Sequence, residues 1–235
     1  MKMTKFSSAI TAENKLEYVA VIPDIKCNSP KVGDLLQGRN PVEIAKFLVG
    51  CGAPVLSVVT EHEQFGGSPK LLQDIAYNTN TPILRKDFIT NEEMLVETAE
   101  LGAAAVLLIC AITTENKLHT LYERSLKLGL EPFVEVCTAT EMEIAKKMGA
   151  QIIGINNRDI VTLEIDNGDT SRTTALASSA PDSALLISES GILSPTDAKL
   201  AAAAGANAIL VGTALWQAYD MGEMYRSLRV RRVKA

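Results

Sequence analysis

The chain carries a weak internal repeat in which a helix-ending glycine precedes a short apolar run. The repeat occurs at Cys51-Gly52-Ala53, Leu101-Gly102-Ala103, Met148-Gly149-Ala150 and Ala204-Gly205-Ala206. Glycine adopts the left-handed backbone that ends many helices, and the runs that follow are short and β-branched, as buried strands are. The glycines are 47 to 56 residues apart, which is about two strand–helix units of a barrel. The 235 residues therefore predict about eight such units.

Eight apolar runs fit the strands of these units. They are Val19–Ile25, Val55–Thr60, Ile83–Lys86, Ala105–Cys110, Pro132–Val136, Ile152–Ile155, Ala184–Ser188 and Ala208–Val211. Capping residues predict helix starts at Asn40 before Pro41, Ser68 before Pro69, Thr90 with Glu93, Thr140 with Glu143, and Ser194 before Pro195. Alternating strands and helices form either an open doubly wound sheet or a closed barrel. Eight units without a GxGxxG after the first strand favour a single (β/α)8 TIM barrel, an α/β fold, over residues 1–235.

Composition agrees with this fold and narrows the choice of partners. Hydrophobic residues make up 47% and aromatic residues 5%, which suits aliphatic parallel strands covered by helices. A net charge of −5 argues against nucleic acid, and we interpret the basic segment 226–235 as a solvated tail. Residues 1–18 form a short N-terminal extension without the apolar core of a signal peptide, and the sequence lacks a membrane-length apolar run. We expect a cytoplasmic protein, a monomer or a weak homodimer, without a membrane or nucleic-acid partner.

The cysteines and histidines carry no recognisable site pattern. The spacings of Cys27, Cys51, Cys110 and Cys137 match neither a zinc site nor a CxxC motif, so we expect reduced thiols that pack and no metal site. Cys110 and Cys137 fall near predicted strand ends, but no histidine nearby in sequence would activate them as nucleophiles. His62 and His119 are expected on a loop or a helix surface.

The last two predicted strands end in a glycine beside a hydroxyl residue. The endings are Ser188-Glu189-Ser190-Gly191 and Val211-Gly212-Thr213. Backbone N–H groups at a glycine approach an anion closely, and Ser190 and Thr213 add hydroxyl donors. TIM barrels that bind sugar phosphates hold the phosphate in the loops after strands seven and eight. These endings predict a small phosphorylated substrate.

Charged and amide residues also follow several other strands. The full set is Asp24, Lys26, Glu61, Lys86, Asp87, Glu135, Asn156, Arg158 and Glu189. Catalytic groups of TIM barrels come from the carboxyl ends of the strands. A single lysine or glutamate there could equally form a structural ion pair, because either side chain is rarely buried without a partner. As a set beside a phosphate site, these residues favour a catalytic site.

Eight segments follow the pattern of one enzyme family. They are Asp24-Ile25-Lys26-Cys27-Asn28-Ser29-Pro30, Phe65-Gly66-Gly67-Ser68, Leu84-Arg85-Lys86-Asp87-Phe88-Ile89, Val106-Leu107-Leu108-Ile109, Pro132-Phe133-Val134-Glu135-Val136, Ile153-Gly154-Ile155-Asn156-Asn157-Arg158-Asp159, Ser188-Glu189-Ser190-Gly191-Ile192 and Val211-Gly212-Thr213-Ala214-Leu215. The last two alone would fit many phosphate-binding barrels. The Lys-x-x-Ser-Pro, Lys-Asp-Phe and Gly-Ile-Asn-Asn-Arg-Asp segments, in that order, are more particular. From Ile22 to Leu215 the chain resembles the indole-3-glycerol phosphate synthase family.

The resemblance implies an activity and a role for each matching residue. The family consists of carboxy-lyases of tryptophan biosynthesis that close an indole ring on 1-(2-carboxyphenylamino)-1-deoxyribulose 5-phosphate, losing carbon dioxide and water without a metal or organic cofactor. The implied catalytic residues are Lys86 as acid, Lys26 as a second cation, Glu135 as proton acceptor, Asp24 as the electrostatic partner of Lys86, and Asn156 and Glu189, which with Arg158 hold substrate hydroxyl and carboxyl groups. The implied binding residues are Phe65, Phe88 and Leu108 around the aniline ring, and Ser29, Ser190, Gly191, Gly212 and Thr213 around the phosphate and polar edge.

Three departures from the family pattern leave alternatives open. Asp24 stands where the family has glutamate, Cys27 stands where an arginine is common, and residues 1–18 are shorter than the family's usual cap over the barrel mouth. A thinner lid would admit water or another substrate. The alternatives are a paralogous barrel acting on another aryl-amine sugar phosphate and a non-catalytic barrel that only binds a phosphorylated ligand. Lys86 and Glu135 favour an enzyme, because a pure binder needs no acid and base.

Overall fold

The structure is a computed structural model that describes residues 5–158 and 169–232. Eight parallel strands in these ranges form a closed barrel. They are β1 (Ala20–Ile25), β2 (Leu56–Val59), β3 (Ile83–Lys86), β4 (Ala105–Ile109), β5 (Glu131–Val136), β6 (Ile152–Asn156), β7 (Leu185–Glu189) and β8 (Ala208–Val211). Each strand pairs with the next, and β8 closes against β1 with Ala208 opposite Ala20. The predicted TIM barrel is confirmed, and no strand boundary differs from its predicted position by more than one residue.

Of the described helices, the first precedes β1, the next seven connect successive strands on the outside of the barrel, and the last two follow β8. The helices are α1 (Phe6–Lys15), α2 (Pro41–Gly50), α3 (Pro69–Asn78), α4 (Glu92–Glu100), α5 (Glu115–Lys127), α6 (Ala139–Lys147), α7 (Ser171–Leu176), α8 (Pro195–Ala203), α9 (Thr213–Gln217) and α10 (Met221–Leu228). A short hairpin, Asn28–Ser29 with Gly33–Asp34, follows β1. Within the described ranges, none of the helices has the length and apolar character needed to cross a bilayer.

Three of the five predicted helix starts are confirmed. The side chains of Asn40, Ser68 and Ser194 each accept a backbone N–H bond from the first turn that follows. The other two predictions are wrong by one and two residues, because Asn91 caps α4 instead of Thr90 and Thr138 caps α6 instead of Thr140. Both wrong choices satisfied the spacing of a capping box, which shows that this spacing alone does not locate the cap.

The side chains of the strands alternate between two apolar layers. One layer fills the barrel and includes Ile22, Leu84, Leu107, Phe133, Ile187 and Leu210, whereas the alternate residues pack against the helices. A strand has a period of two residues, so the residue two positions further on points the same way. Two steps beyond these inner residues stand Asp24, Lys86, Ile109, Glu135, Glu189 and Gly212. The period therefore directs polar side chains of several strands toward one mouth.

Helix α1 closes the end of the barrel opposite this mouth. Phe6 and Ile10 are fully buried and belong to the cluster that fills the barrel. They share it with Ala20, Ala105 and Ala208, which are the first residues of β1, β4 and β8. Helix α1 therefore covers the amino ends of the strands.

Polar contacts fix α1 in this position. The backbone N–H of Ser7 donates to the carboxylate of Glu131, at the start of β5, over 3.2 Å. The side-chain amide of Asn14 donates to the carbonyl of Asn207, just before β8, over 2.8 Å. Expecting the N-terminal segment to act as a thin lid over the mouth is therefore wrong for residues 5–18.

The basic C-terminal segment holds the same end of the molecule together. Arg229 Nε lies 2.8 Å from an oxygen of Glu13, and its guanidinium lies 3.8 Å from the ring centre of Tyr18. Arg231 lies 3.6 Å from a carboxylate oxygen of Glu17. The interpretation as a solvated tail is wrong for Arg229, whose side chain is 31% exposed and packs against α1 and Tyr18. The side chain of Arg231 stays 73% exposed, in agreement with that interpretation.

We expect Ile10→Ala to lower the free energy of unfolding by about 2–5 kcal/mol, because it leaves a cavity in the sealed floor of the barrel. Urea denaturation followed by circular dichroism measures the change. Leu16→Ala is the matched control, since Leu16 follows the same helix with 60% of its surface exposed. Its expected change is within about 0.5 kcal/mol. Equal losses in the two variants would contradict the placement of α1.

Candidate active site

The carboxyl ends of the strands surround two adjoining cavities. The first is largely apolar, and its walls include Val59, Phe65, Phe88, Leu107 and Ile109. The second is largely polar, and its walls include Arg158, Ser190, Gly191, Gly212 and Thr213. Asp24, Lys26 and Lys86 line both cavities. A ligand with an apolar end and an anionic end could therefore span the mouth with charged groups at its centre.

Lys86 lies beside two buried carboxylates. Its Nζ atom is 3.6 Å from an oxygen of Glu189 and 4.0 Å from an oxygen of Glu135. Glu135 and Glu189 are 1% and 0% exposed. Burying an ionised carboxylate is costly unless a cation or hydrogen-bond donors compensate it, and the ammonium supplies part of that compensation. The arrangement places a proton donor beside a proton acceptor, away from bulk water.

Gly154 on β6 makes room for this ion cluster. A Cβ atom at this position would lie 2.1 Å from the ring of Phe133 and 2.5 Å from Oε1 of Glu189. Both distances are far below van der Waals contact, so any other residue would displace the ring or the carboxylate. Sequence reasoning missed this role, although Gly154 is part of the Gly-Ile-Asn-Asn-Arg-Asp segment that carried the resemblance.

Asp24 and Lys26 lie against the end of β8. Oδ1 of Asp24 accepts a hydrogen bond of 2.7 Å from the Ser57 hydroxyl, and the Asp24 carbonyl accepts one of 2.9 Å from the Trp216 indole. A Cβ atom on Gly212 would lie 3.0 Å from Cε of Lys26. Glycine at this position therefore lets the lysine stem pass close to the β8 backbone on its way to the mouth.

The two strand endings predicted to bind phosphate lie in the second cavity. Ser190 and Gly191 have φ angles of +63° and +70°, so two successive left-handed residues turn the chain after β7. Gly212 and Thr213 contribute the adjacent wall after β8. Lys26 and Arg158 line the same cavity and give it positive charge.

Leu108 does not belong to the apolar cavity, and its predicted contact with the aniline ring is wrong. It is fully buried among residues that pack between the barrel and the helices. Leu107 and Ile109, its neighbours on β4, point into the barrel and line the cavity. The predicted Phe65 and Phe88 do line the cavity. The error is one residue of strand register, which moves a side chain to the opposite face.

Glu61 organises the loop that carries Phe65. Its two carboxylate oxygens accept hydrogen bonds from the backbone N–H groups of Glu63, Gln64 and Phe65 at 2.8, 2.9 and 3.0 Å. Glu61 also lines the first cavity. The sequence analysis singled out Glu61 because it follows a strand. It did not predict that the Glu61 carboxylate accepts the backbone hydrogen bonds that hold this loop.

Ser29 lies in the hairpin after β1, outside the walls of both cavities. It is 6% exposed, and the backbone N–H of the preceding Asn28 donates to the Phe65 carbonyl over 2.8 Å. The hairpin therefore braces the Phe65 loop. A contact between Ser29 and substrate stays a prediction.

Arg85 fixes the segment around Lys86 from the outer side of the barrel. Its guanidinium is 2% exposed and donates to Asp87 over 3.1 Å and to Glu97 over 2.7 Å. The other oxygen of Asp87 accepts the backbone N–H of Phe88 over 2.8 Å. Arg85 and Asp87 are the neighbours of Lys86 in the chain. This network therefore constrains the backbone on both sides of Lys86 and limits where its ammonium can lie.

No cysteine or histidine is among the described residues that line the two cavities. Cys137 Sγ lies 3.6 Å from the Arg158 carbonyl, and His62 Nδ1 lies 3.2 Å from the Gly67 carbonyl. All four cysteines are free thiols, and burial raises the pKa of Cys110 to about 12, with Glu141 and Glu135 adding to the effect. Burial likewise raises the pKa of Cys137, so neither thiol ionises near neutral pH. His62 lies on a loop and His119 on an exposed face of α5, as predicted. Among residues 5–158 and 169–232, no three His, Cys, Asp or Glu side chains group to hold a metal ion.

The fold and this mouth define a TIM-barrel enzyme built around a lysine and two buried glutamates. The family model for indole-3-glycerol phosphate synthase matches residues 1–228. The chain is 43% identical to the indole-3-glycerol phosphate synthase of Pyrococcus furiosus over 215 residues, which cover 92% of this chain and 93% of that one. It is 38% identical to the enzyme of the same name from Streptococcus sanguinis, over 93% of this chain and 84% of that one. The chain belongs to the indole-3-glycerol phosphate synthase family.

A solved structure supports the fold independently. The 3-hexulose-6-phosphate synthase of Salmonella typhimurium superposes with a TM-score of 0.71, over 89% of this chain and 96% of that chain. The identity is 13%, so this likeness shows the barrel alone.

We expect Leu107→Ala and Leu108→Ala each to lower the free energy of unfolding by about 2–5 kcal/mol, because both side chains are buried. Only Leu107→Ala should also lower kcat/KM for the family's indole-forming reaction, by about 10-fold or more, since only Leu107 lines the cavity. Steady-state kinetics at a temperature where both variants are folded measures the difference. An equal effect of the two substitutions on kcat/KM would contradict the register of β4.

Proposed function

We propose that this chain converts 1-(2-carboxyphenylamino)-1-deoxyribulose 5-phosphate into indole-3-glycerol phosphate, carbon dioxide and water, as a carboxy-lyase of tryptophan biosynthesis. Family membership supports the activity. The observation that carries the residue assignment is the position of Lys86. Its ammonium lies beside buried Glu135 and Glu189, where the apolar and the polar cavities meet.

The two cavities match the two ends of this substrate. The aryl ring fits the first cavity between Phe65, Phe88 and Leu107. The phosphate fits the second cavity, where Gly191 and Gly212 leave backbone donors accessible. The ribulose chain then crosses the centre of the mouth, which brings its carbonyl group to Lys86.

Lys86 is the proposed acid for ring closure. An aromatic carbon of the substrate attacks the ribulose carbonyl carbon, and the carbonyl oxygen gains negative charge. The Lys86 ammonium stabilises that charge and donates a proton to the oxygen. The ring carbon that formed the new bond then loses its carboxylate as carbon dioxide, which restores the aromatic ring.

Lys26 and Glu135 complete the elimination of water. The hydroxyl made in the first step leaves as water with a proton from Lys26, and the resulting cation is stabilised by the Glu135 carboxylate. Glu135 then removes a proton from the adjacent carbon to form the indole double bond. Two protons are donated and one is accepted, so each turnover takes up one proton from solvent as the carboxylate leaves as carbon dioxide.

Asn156, Arg158 and Glu189 orient the substrate in this scheme. Asn156 is fully buried, and among the described residues its Nδ2 atom has no hydrogen-bond partner. An unsatisfied buried amide is costly, so a substrate oxygen that accepts this bond gains affinity and fixed orientation. Arg158 lines the polar cavity and can bind the carboxylate or the phosphate.

Asp24 supports Lys86 in the same scheme, despite being shorter than the glutamate of the family pattern. The Ser57 hydroxyl fixes one carboxylate oxygen at 2.7 Å, and Asp24 shares the walls of both cavities with Lys86 and Lys26. Asp24 lines both cavities together with Lys86 and Lys26, and its negative charge attracts the two cations.

The remaining sequence predictions about surroundings stay proposals. We infer a cytoplasmic enzyme that acts as a monomer or a weak homodimer, without nucleic-acid or membrane partners and without a metal or organic cofactor. The net charge of −5 supports the absence of nucleic acid.

Incubation of the purified chain with the carboxyphenylamino-deoxyribulose phosphate should produce indole fluorescence. Lys86→Ala and Glu135→Gln should each lower kcat by about 10²–10⁴-fold, because each removes a proton-transfer group. Lys46→Ala is the matched control for lost charge, since Lys46 lies on α2 with 44% of its side chain exposed. Absence of product from correctly folded protein would refute the function. Unchanged kcat in both mouth variants would refute the assigned roles.

A further inference from the structure

Asn157 ties the end of β6 to the end of β7. It is 3% exposed and follows Asn156. Its Nδ2 atom donates to the Glu189 carbonyl at 3.0 Å, and to the Ser190 carbonyl and the Ser188 hydroxyl at 3.1 Å. Its backbone N–H also donates to the Glu189 carbonyl at 2.9 Å. One residue therefore contacts three consecutive residues at the end of β7.

The other end of the Asn157 amide is equally engaged. Its oxygen accepts hydrogen bonds of 3.0 Å from both the backbone N–H and the hydroxyl of Thr173 on α7. The Thr173 hydroxyl lies 2.7 Å from the hydroxyl of Ser188, and both residues are fully buried. Reversing the amide would place its oxygen against three oxygens, so only an amide in this orientation satisfies the network.

The turn that Asn157 holds is an unfavourable one. Ser190 has a φ of +63°, in the left-handed region that residues with a side chain rarely adopt. Such a conformation persists when surrounding contacts enforce it. The bonds from Asn157 to the Glu189 and Ser190 carbonyls hold the two peptide groups on either side of the Ser190 Cα atom.

We propose that Asn157 is a positioning residue that sets the Glu189 carboxylate and the wall of the polar cavity through this turn. Its amide fixes Glu189 where the carboxylate meets Lys86, and it fixes Ser190 and Gly191 where they line the polar cavity. The identity of the ligand as a sugar phosphate rests on the proposed function. Asn157 itself faces α7 and acts through Glu189 and Ser190.

The decisive variant is Asn157→Asp, which keeps the shape of the side chain and removes its N–H donors. We expect kcat/KM to fall by about 100-fold, because a displaced turn misplaces both the carboxylate and the phosphate loop. The dissociation constant of inorganic phosphate, measured by calorimetry, should rise at least about 10-fold for the same reason. The joint effect on phosphate affinity and turnover distinguishes positioning from a loss of stability.

Asn207→Asp is the matched control, because it makes the same chemical change at the opposite end of the barrel. Asn207 accepts the Leu186 backbone N–H over 2.8 Å and donates to Asn14 over 3.0 Å. We expect it to lower the melting temperature while kcat/KM and phosphate affinity of the folded protein stay within about 3-fold of the parent.

A rescue variant tests the turn itself. Ser190→Gly relieves the left-handed strain but removes a hydroxyl from the polar cavity. In the parent chain it should weaken phosphate binding, because a hydroxyl is lost. In the Asn157→Ala background it should strengthen phosphate binding, because no Asn157 amide enforces the left-handed conformation there and glycine adopts that conformation without strain. A reversal of sign between the two backgrounds supports the proposal.

Two outcomes would overturn the proposal. In one, folded Asn157→Asp keeps kcat/KM and phosphate affinity within about 3-fold of the parent. In the other, Asn207→Asp weakens phosphate binding as much as Asn157→Asp does. If the parent chain made no indole product, the proposed function would fail, and the phosphate affinities of the same variants would still decide the role of Asn157.

Discussion

The contact of the Lys86 ammonium with two buried carboxylates is the interaction on which the rest of the mouth depends. Lys86, Glu135 and Glu189 come from β3, β5 and β7, and Asp24 comes from β1. TIM barrels fill their interior with layers of four side chains from alternate strands. In this barrel the layer at the carboxyl ends of the strands is charged, whereas the layers below it are apolar. Each charged residue belongs to one strand, so the register of that strand fixes the position of its charge.

A charged layer under a substrate site is costly, and several neighbouring groups support it. Gly154 leaves the space that the Glu189 carboxylate occupies. Arg85 fixes the backbone around Lys86 from the helix side, and the Asn157 amide fixes the backbone around Glu189 in the same manner. Arg85 and Asn157 lie on the helix side of the strands and are almost fully buried, whereas Gly154 faces the interior of the barrel. The electrostatic arrangement is therefore built before a substrate arrives, which is the condition for effective transition-state stabilisation.

The sequence predicted the barrel and most of the side chains that line its mouth, because those features have local signals. Strands buried on both faces read as short apolar runs, and the catalytic candidates stand directly at the ends of such runs. The sequence did not show which side chains of β4 point into the barrel, because Ala105–Ile109 is apolar at every position. Only the closed barrel distinguishes Leu107, which points inward, from Leu108, which points toward the helices. Local signals predict that a strand exists more reliably than they predict which way its side chains point.

Features that depend on contacts distant in sequence were not predicted. Phe6 and Ile10 are four residues apart, which places them on one face of a helix, but nothing in their spacing tells which end of the barrel they cover. Arg229 pairs with Glu13, which lies near the opposite end of the sequence. Asn157 at the end of β6 donates to the carbonyl of Ser190, which follows β7. Glu61 and Arg85 stood at strand ends, yet their roles depend on backbone groups whose positions only the fold defines.

A crystal structure of the Lys86→Met variant with the carboxyphenylamino-deoxyribulose phosphate bound would show where the substrate carbonyl lies relative to residue 86. We expect the aryl ring between Phe65, Phe88 and Leu107 and the phosphate at the two glycine endings. The ribulose carbonyl should then lie beside residue 86, close enough for proton donation, within about 3.5 Å of where the ammonium of the parent chain lies. A substrate bound in the reverse orientation, or with its carbonyl far from residue 86, would show that Lys86 is not the acid for ring closure.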